Sequence, residues 1–381
     1  MKYVDEFRDP KAARELAAEI GRAAERLARP VRLMEVCGGH TMAIHRFGIP
    51  SLLPPAVRLL SGPGCPVCVT PTTYLDRAIA LARLPDTTVT TFGDLYRVPG
   101  AESSLEDAAA DGADVRVVYS PRDALKLAQE NRGRFVVFLA IGFETTVPGT
   151  AATIVEARDK GVKSFRVLSG HKTMPEALRA LVAAPEVALD GFLLPGHVST
   201  ITGPEPYEFL PRDYGIACCV TGFEPTDILM GILALVRQVT EGRPAVDNTY
   251  RRAVRPGGNP RARALVDEVF EPTDSQWRGI GLIPGSGLDV RQRWTAFSVE
   301  PPDPAAPSAE YEACRCAEVL RGLLSPPECP LFGSKCVPDS PVGPCMVSSE
   351  GACAAHYKYG AGGRPESEVC PLTSGVWRSH G

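Results

Sequence analysis

The run Phe135-Val-Val-Phe-Leu-Ala-Ile141 is apolar at every position. A strand with one wet face alternates, so a continuously apolar one belongs to a parallel sheet with helices over both faces. The same texture recurs along the chain. Short β-rich runs at Val31–Val36, Val57–Leu60, Thr87–Phe92, Val115–Tyr119, Phe135–Ile141, Phe165–Leu168, Gly191–Leu194 and Ala217–Thr221 alternate with helical patterns. Those patterns fall at Thr72–Ala82, Arg122–Asn131, Thr150–Lys160, Pro175–Val182 and Thr226–Val239. An opening helix over 10–28 repeats Ala13, Leu16, Ala17, Ile20, Ala24 and Leu27 at helical spacing, and Pro30 stops it. The class is α/β.

Two pairs of segments echo each other. The strand ending at Ile141 runs into Gly142-Phe143-Glu144-Thr145-Thr146, and the strand ending at Thr221 runs into Gly222-Phe223-Glu224-Pro225-Thr226. Likewise Ser169-Gly170-His171 is echoed by Pro195-Gly196-His197. This repetition predicts two similar α/β lobes with parallel sheets, which collect ligand groups in the loops at their strands' carboxyl ends. After Glu241 the texture changes. Residues 242–264 and the Pro-rich 299–308 read as linkers or long loops, and a helix is expected at Tyr311–Leu324. The compact tail Cys329–Tyr359 has too few aliphatic residues for a core of its own, so a metal or packing against the lobes must hold it.

Charge and composition exclude several classes. With 41 Lys+Arg against 45 Asp+Glu the net charge is −4, and no basic, aromatic-laced stripe appears, so nucleic acid is not an expected partner. The start carries charge from Lys2 onward and lacks the apolar segment of a signal peptide. The longest apolar stretches, Phe135–Phe143 and Ile228–Val236, fall far short of the roughly 20 residues a membrane helix needs. A cytoplasmic chain without a membrane partner is the expectation. Against that setting twelve cysteines are many, because structural disulfides do not persist there. Seven of the twelve lie after residue 313.

Three motifs carry chemistry. In Met34-Glu35-Val36-Cys37-Gly38-Gly39-His40-Thr41 a strand runs into a Gly-Gly turn bearing a thiol and an imidazole, donors that suit one soft metal; the alternative is a buried Cys and a turn-capping His. In Ser61-Gly62-Pro63-Gly64-Cys65-Pro66-Val67-Cys68-Val69-Thr70-Pro71 two cysteines at C-x-x-C spacing precede a helix, with Thr70 as expected N-cap and Pro71 as first helical residue. A helix N-terminus there would favour a thiolate, and without a second C-x-x-C a redox dithiol fits better than a zinc ribbon. In the tail, Cys329, Cys336, Cys345 and Cys353 are spaced by six, eight and seven residues among Gly and Pro, which suits an iron–sulfur cluster over zinc. Cys314 and Cys316 are alternates for one ligand, and Ser348 or Ser349 is expected to cap the helix containing Cys353.

Other residues carry weaker signals. His171 and His197 end strands after Gly, and Glu144 and Glu224 are expected to cap the helices that follow them. Cys218 and Cys219 read as core, and Cys370 as incidental. The chain has no G-x-x-x-x-G-K-[ST], G-x-G-x-x-G or G-x-S-x-G, so neither a nucleotide fold nor a serine hydrolase has support.

Together MEVCGGHT, GPGCPVCVTP, GFETTVP, LLPGHVSTITG and CPLFGSKC…PCMVSSEGACAAHYKYG resemble the HypD family of hydrogenase maturation proteins, from about residue 31 to 360. The resemblance implies two similar α/β lobes plus a C-terminal iron–sulfur domain, divided here as 31–140, 141–240, and 1–30 with 241–381. It implies a [4Fe–4S] cluster on Cys329, Cys336, Cys345 and Cys353, a redox pair at Cys65 and Cys68, and an iron-holding thiol at Cys37 with His40 beside it. It further implies assembly of the Fe(CN)2CO unit of [NiFe]-hydrogenases, on a transient mononuclear iron carrying CN and CO. The implied partners are a small HypC-type chaperone and a HypE-type cyanide donor. A free-standing [4Fe–4S] thiol–disulfide reductase is the alternative, and a zinc-stabilised interaction protein the third reading.

Overall fold

The computed structural model describes residues 5–131, 133–304 and 313–360. Nine strands form two all-parallel sheets, as the apolar runs require. The first contains β1 (Val31–Glu35), β2 (Val57–Ser61), β7 (Gly191–Pro195), β8 (Ala217–Thr221) and β9 (Val246–Asn248), in the order β2-β1-β7-β8-β9. The second contains β3 (Thr87–Thr91), β4 (Asp114–Val117), β5 (Phe135–Gly142) and β6 (Phe165–His171), in the order β4-β3-β5-β6. Counted within each sheet, both run second-first-third-fourth, so the expected pair of similar lobes is present.

The division of the chain between them differs from 31–140 and 141–240. After β2 the chain leaves the first sheet through the Thr72–Ala82 helix, builds the whole second sheet, and returns through the Met174–Ala183 helix to add β7 beside β1. The echoed motifs also occupy unlike places. Gly142-Phe143-Glu144 follows the third strand of its sheet, whereas Gly222-Phe223-Glu224 follows the fourth of the other.

Cores follow the sheets. Leu33, Leu193, Ala217 and Cys219 pack beneath the Pro225–Glu241 helix and the Pro10–Ala24 helix, whose Ala13, Ile20 and Ala24 are its buried face. The amino-terminal helix therefore belongs to the first lobe and not with the tail. Val136, Phe138 and Ala140 pack against Ala151 and Ile154 in the second.

Beyond Glu241 less is linker than expected. Val246–Asn248 extends the first sheet, and Asn259 caps a helix at Pro260–Val269. An unexpected antiparallel hairpin follows, β10 (Phe270–Trp277) with β11 (Gly281–Val290). Its tip buttresses the C-x-x-C turn. Arg278 donates its backbone N–H to the Val69 carbonyl at 2.9 Å, and buried Trp277 stacks on Phe143 at 5.9 Å between centroids. The expected Tyr311–Leu324 helix is only Cys316–Leu320, ended by Gly322 at φ +67°; Tyr311 and the end of the Pro-rich stretch lie outside the described residues, as does Cys370. Packing holds the tail, with Cys316 and Cys345 sharing one core with Cys65 and Cys68. Among the described residues no helix is long and apolar enough to cross a membrane.

Candidate thiol and metal site

In the first sheet the strand order reverses between β1 and β7, the place where such a sheet collects ligand groups at its strands' carboxyl ends. Cys37 follows β1 and precedes the Gly38–Arg46 helix; His197 follows β7. Their side chains meet, with Cys37 Sγ 3.5 Å from His197 Nδ1. His40 is fully buried, its Nε2 3.0 Å from the Gly222 carbonyl and its ring stacked on Phe223 at 4.7 Å, and its Nδ1 has no hydrogen-bond partner. The bond to Gly222 requires Nε2–H, which leaves Nδ1 a buried lone pair. Thus the imidazole touching Cys37 is that of His197, while His40 offers an unused donor nearby.

Glycines make the approach of the surrounding backbone feasible. A Cβ on Gly38 would lie 2.3 Å from Glu350 Cβ, and one on Gly64 would lie 2.1 Å from the Cys37 nitrogen. Beneath Cys37, Glu35 accepts from Thr41 Oγ1 at 2.6 Å and from the Cys37 N–H at 3.1 Å.

Burial keeps the site uncharged. Desolvation pushes the Glu35 carboxyl up to about 8 and the Cys37 thiol well above its ordinary value, and it pulls His40 and His197 down to about 4. The N–H groups of His40 and Gly39 work in the opposite direction on the thiol. A buried thiol with neutral imidazoles beside it is a donor set that suits a soft cation once the thiol proton is given up.

The C-x-x-C segment is a turn beyond β2, and its cysteines precede the Thr72–Ala82 helix by four residues or more. Thr70 does not cap that helix: its hydroxyl donates to the Pro66 carbonyl at 2.8 Å, and Pro71 takes the N-cap position. The two thiols are unlike. Cys65 Sγ accepts the Cys68 N–H at 3.2 Å and donates to Ser348 Oγ at 3.3 Å. Cys68 is fully buried, desolvation raises its thiol, and its side chain hydrogen-bonds Cys345.

Cys345 joins this turn to the tail. It lies 2.7 Å, sulfur to sulfur, from Cys316, and it also hydrogen-bonds Cys353. Cys314, Cys316, Cys329, Cys336, Cys345 and Cys353 all line one apolar cavity of about 20 Å³, with no carboxylate or imidazole in its wall. That space admits about one water, and among the described residues no group of three or more Cys, His, Asp or Glu is already arranged to hold a single ion. The donor set nevertheless fits a thiolate-bound cluster, which would require these thiols to turn outward from one another.

The remaining expectations divide. Glu224 caps the Pro225–Glu241 helix in a reciprocal capping box with Asp227. Glu144 instead accepts the Met174 N–H at 2.9 Å, at the start of the Met174–Ala183 helix. Neither Ser348 nor Ser349 caps the Ala352–Tyr359 helix, where Gly351 holds the N-cap position. His171 is buried against Thr150 Oγ1 at 3.0 Å, away from the thiols, and Cys218 and Cys219 are core. The sequence pattern passed over Glu35, Asp94 and Glu350, and marked Ser348 only as a helix cap. Of the three passed over, only Glu35 carried a signal, as a lone carboxylate in an apolar strand.

The chain matches the family model described as "HypD: Hydrogenase formation hypA family" over residues 11–360. It is 52% identical over 369 residues to the hydrogenase expression/formation protein HupD of Azotobacter chroococcum mcd 1, covering 94% of this chain and 97% of that protein. It is 52% identical to the hydrogenase maturation factor HypD of Azotobacter vinelandii, with the same coverage. With the HypD of Escherichia coli (strain K12) it shares 45% over 366 residues, 94% of this chain and 98% of the other.

Proposed function

This chain belongs to the HypD family of hydrogenase maturation factors, and we propose that it is the redox scaffold on which the Fe(CN)2CO unit of [NiFe]-hydrogenases is assembled. The iron is substrate here. Cys37 holds it together with a thiol of a small HypC-type chaperone, and His197 and His40 supply neighbouring imidazole donors. A HypE-type protein delivers cyanide at the same strand ends.

One observation carries the redox part: the thiols run without interruption from the cysteine-lined cavity through Cys345 to Cys68 and, across the turn, to Cys65. Cys329, Cys336, Cys345 and Cys353 are the proposed cluster ligands, with Cys314 and Cys316 packed beside them. Those thiols would hold a [4Fe–4S] cluster, which when bound would offer one-electron chemistry beside a pair that exchanges two electrons. The protein's part is to keep Cys68 against Cys345, to shield the Cys37 pocket from water, and to hold the histidines neutral as donors. A reductase acting alone has no use for a third thiol faced by an imidazole, which favours the scaffold.

The test is strictly anaerobic purification with iron and sulfide analysis, followed by the Cys65→Ala variant. About four cluster irons are expected in both proteins, with iron-ligand assembly lost only in the variant. A colourless, zinc-holding protein, or normal assembly by Cys65→Ala, would overturn the proposal.

A further inference from the structure

We propose that Ser348 and Asp94 form a proton relay that draws the proton from Cys65 toward a solvent-facing cavity, making Cys65 the attacking thiol of the pair and Cys68 the resolving one. This rests on the reading of Cys65 and Cys68 as an exchange pair, and it assigns the two cysteines different tasks.

The chain of hydrogen bonds is directional. Cys65 Sγ donates to Ser348 Oγ at 3.3 Å, and Ser348 Oγ donates to Asp94 Oδ2 at 2.9 Å. Ser348 Oγ also accepts the Glu350 N–H at 3.2 Å. A hydroxyl has two acceptor sites and one donor. Cys65 and Glu350 fill the acceptor sites, so the single O–H is committed to Asp94. Ser349 donates to the same carboxylate oxygen through its N–H at 3.3 Å and its hydroxyl at 3.0 Å, fixing the acceptor in place.

Ser348, 1% exposed, and Asp94 both line a cavity of about 300 Å³ together with Pro66, Thr146 and Glu350. The relay therefore ends where solvent can take the proton. At its other end the Cys68 N–H already points at Cys65 Sγ at 3.2 Å, a bond that strengthens once the sulfur is anionic. The side-chain partners of Cys68 are the thiols of Cys345 and Cys65, neither of them a hydroxyl or a carboxylate.

The step balances when the co-substrate is a disulfide. The Cys65 S–H bond breaks, its proton passes to Ser348 Oγ, and the serine's own proton passes to Asp94. The Cys65 thiolate attacks one disulfide sulfur, and the first thiolate of the substrate leaves. Cys68 then loses its proton and attacks Cys65, releasing the second thiolate. The dithiol is oxidised by two electrons, the disulfide is reduced by two, and the two protons end on the departing thiols. Ser348 touches the reacting sulfur, while Asp94 acts through it as a positioning residue.

The test uses the full-length, anaerobically reduced protein and iodoacetamide, with alkylation of Cys65 and Cys68 followed by peptide mass spectrometry. Cys65 is expected to react faster than Cys68. Asp94→Asn and Ser348→Ala should each slow Cys65 about tenfold with Cys68 unchanged, and Asp94→Glu should restore most of the rate. Unchanged Cys65 rates in both variants would overturn the relay, and so would a parallel change at both cysteines, which marks a merely structural role. Peptide mapping of the oxidised wild type separates the premise: absence of a Cys65–Cys68 disulfide would overturn the exchange role itself, whatever the alkylation rates.

Discussion

Mild acid should unfold this protein steeply, and the structure sets both the sign and the size. Five of the six histidines are buried (His40, His171) or half-buried (His45, His197, His356) without a carboxylate partner. Desolvation pulls His45 down to about 3 and His40, His171, His197 and His356 to about 4. A base depressed in the fold binds its proton more readily when unfolded. Its contribution to stability is therefore complete above the unfolded value near 6.5 and is lost as the pH falls from there toward 4. Buried acids oppose this, Glu35 and Glu144 most and Glu350 in the same direction. Desolvation raises Glu35 to about 8 and Glu144 to about 7, so below neutrality the fold already carries two protons that the unfolded chain lacks. Near pH 5.5 the unfolded chain still binds about 2.5 more protons, a slope of about 3.5 kcal/mol per pH unit. Between pH 6 and 4.5 the loss is about 5 kcal/mol, comparable with the whole stability of many folds. Urea unfolding measured at half-unit steps from pH 7.5 to 4.5 reads this slope directly. His171→Gln, whose neutral amide can still reach Thr150, should reduce it by about one proton's worth, about 1.4 kcal/mol per pH unit. A stability that stays flat from pH 7.5 to 5 would refute the reasoning, because it would mean these imidazoles are protonated or hydrated inside the fold.

Two further outcomes follow from the packing. Gly38→Ala should cost about 2 kcal/mol, since its Cβ would meet Glu350 Cβ at 2.3 Å, and should raise the reactivity of Cys37 as the tail is displaced; Gly21→Ala, with open space around it inside a helix, should gain about 1 kcal/mol, and both are read by urea unfolding. His40→Ala should destabilise by about 3 kcal/mol through loss of its buried bond to Gly222 and its stacking on Phe223, whereas His197→Ala should change stability by about 1 kcal/mol while lowering the iron retained at Cys37, measured by metal analysis of the chaperone complex.

The sequence made strands legible where burial made them continuous. Val136–Ile141 and Ala217–Val220 are apolar and buried at every position because helices cover both faces of their sheets. The β10–β11 hairpin was illegible for the converse reason: Glu271, Pro272, Thr273 and Asp274 are exposed, so hydrophobicity left no mark on that strand. Which sheet each strand joins was also hidden. Parallel partners are set by crossovers and not by neighbouring residues, so β1 pairs with a strand more than 150 residues away. The site divides in the same way. Cys37, Cys65 and Cys68 stood out because thiols beside glycines are rare, but the partner imidazole lies 160 positions from Cys37 and the relay serine 283 from Cys65. Ser348 read as a helix cap because a serine just before a helix usually is one, and only the fold shows its hydroxyl turned to a distant thiol.

The central claim is that Cys37 holds the iron while its ligands are added. The most direct measurement is infrared spectroscopy of the anaerobically purified complex of this chain with a small HypC-type chaperone, comparing the wild type with Cys37→Ala. The account predicts cyanide and carbonyl stretches in the wild-type complex and none in the variant, with the cluster absorption equal in both. The same stretches persisting without the Cys37 thiol would contradict it.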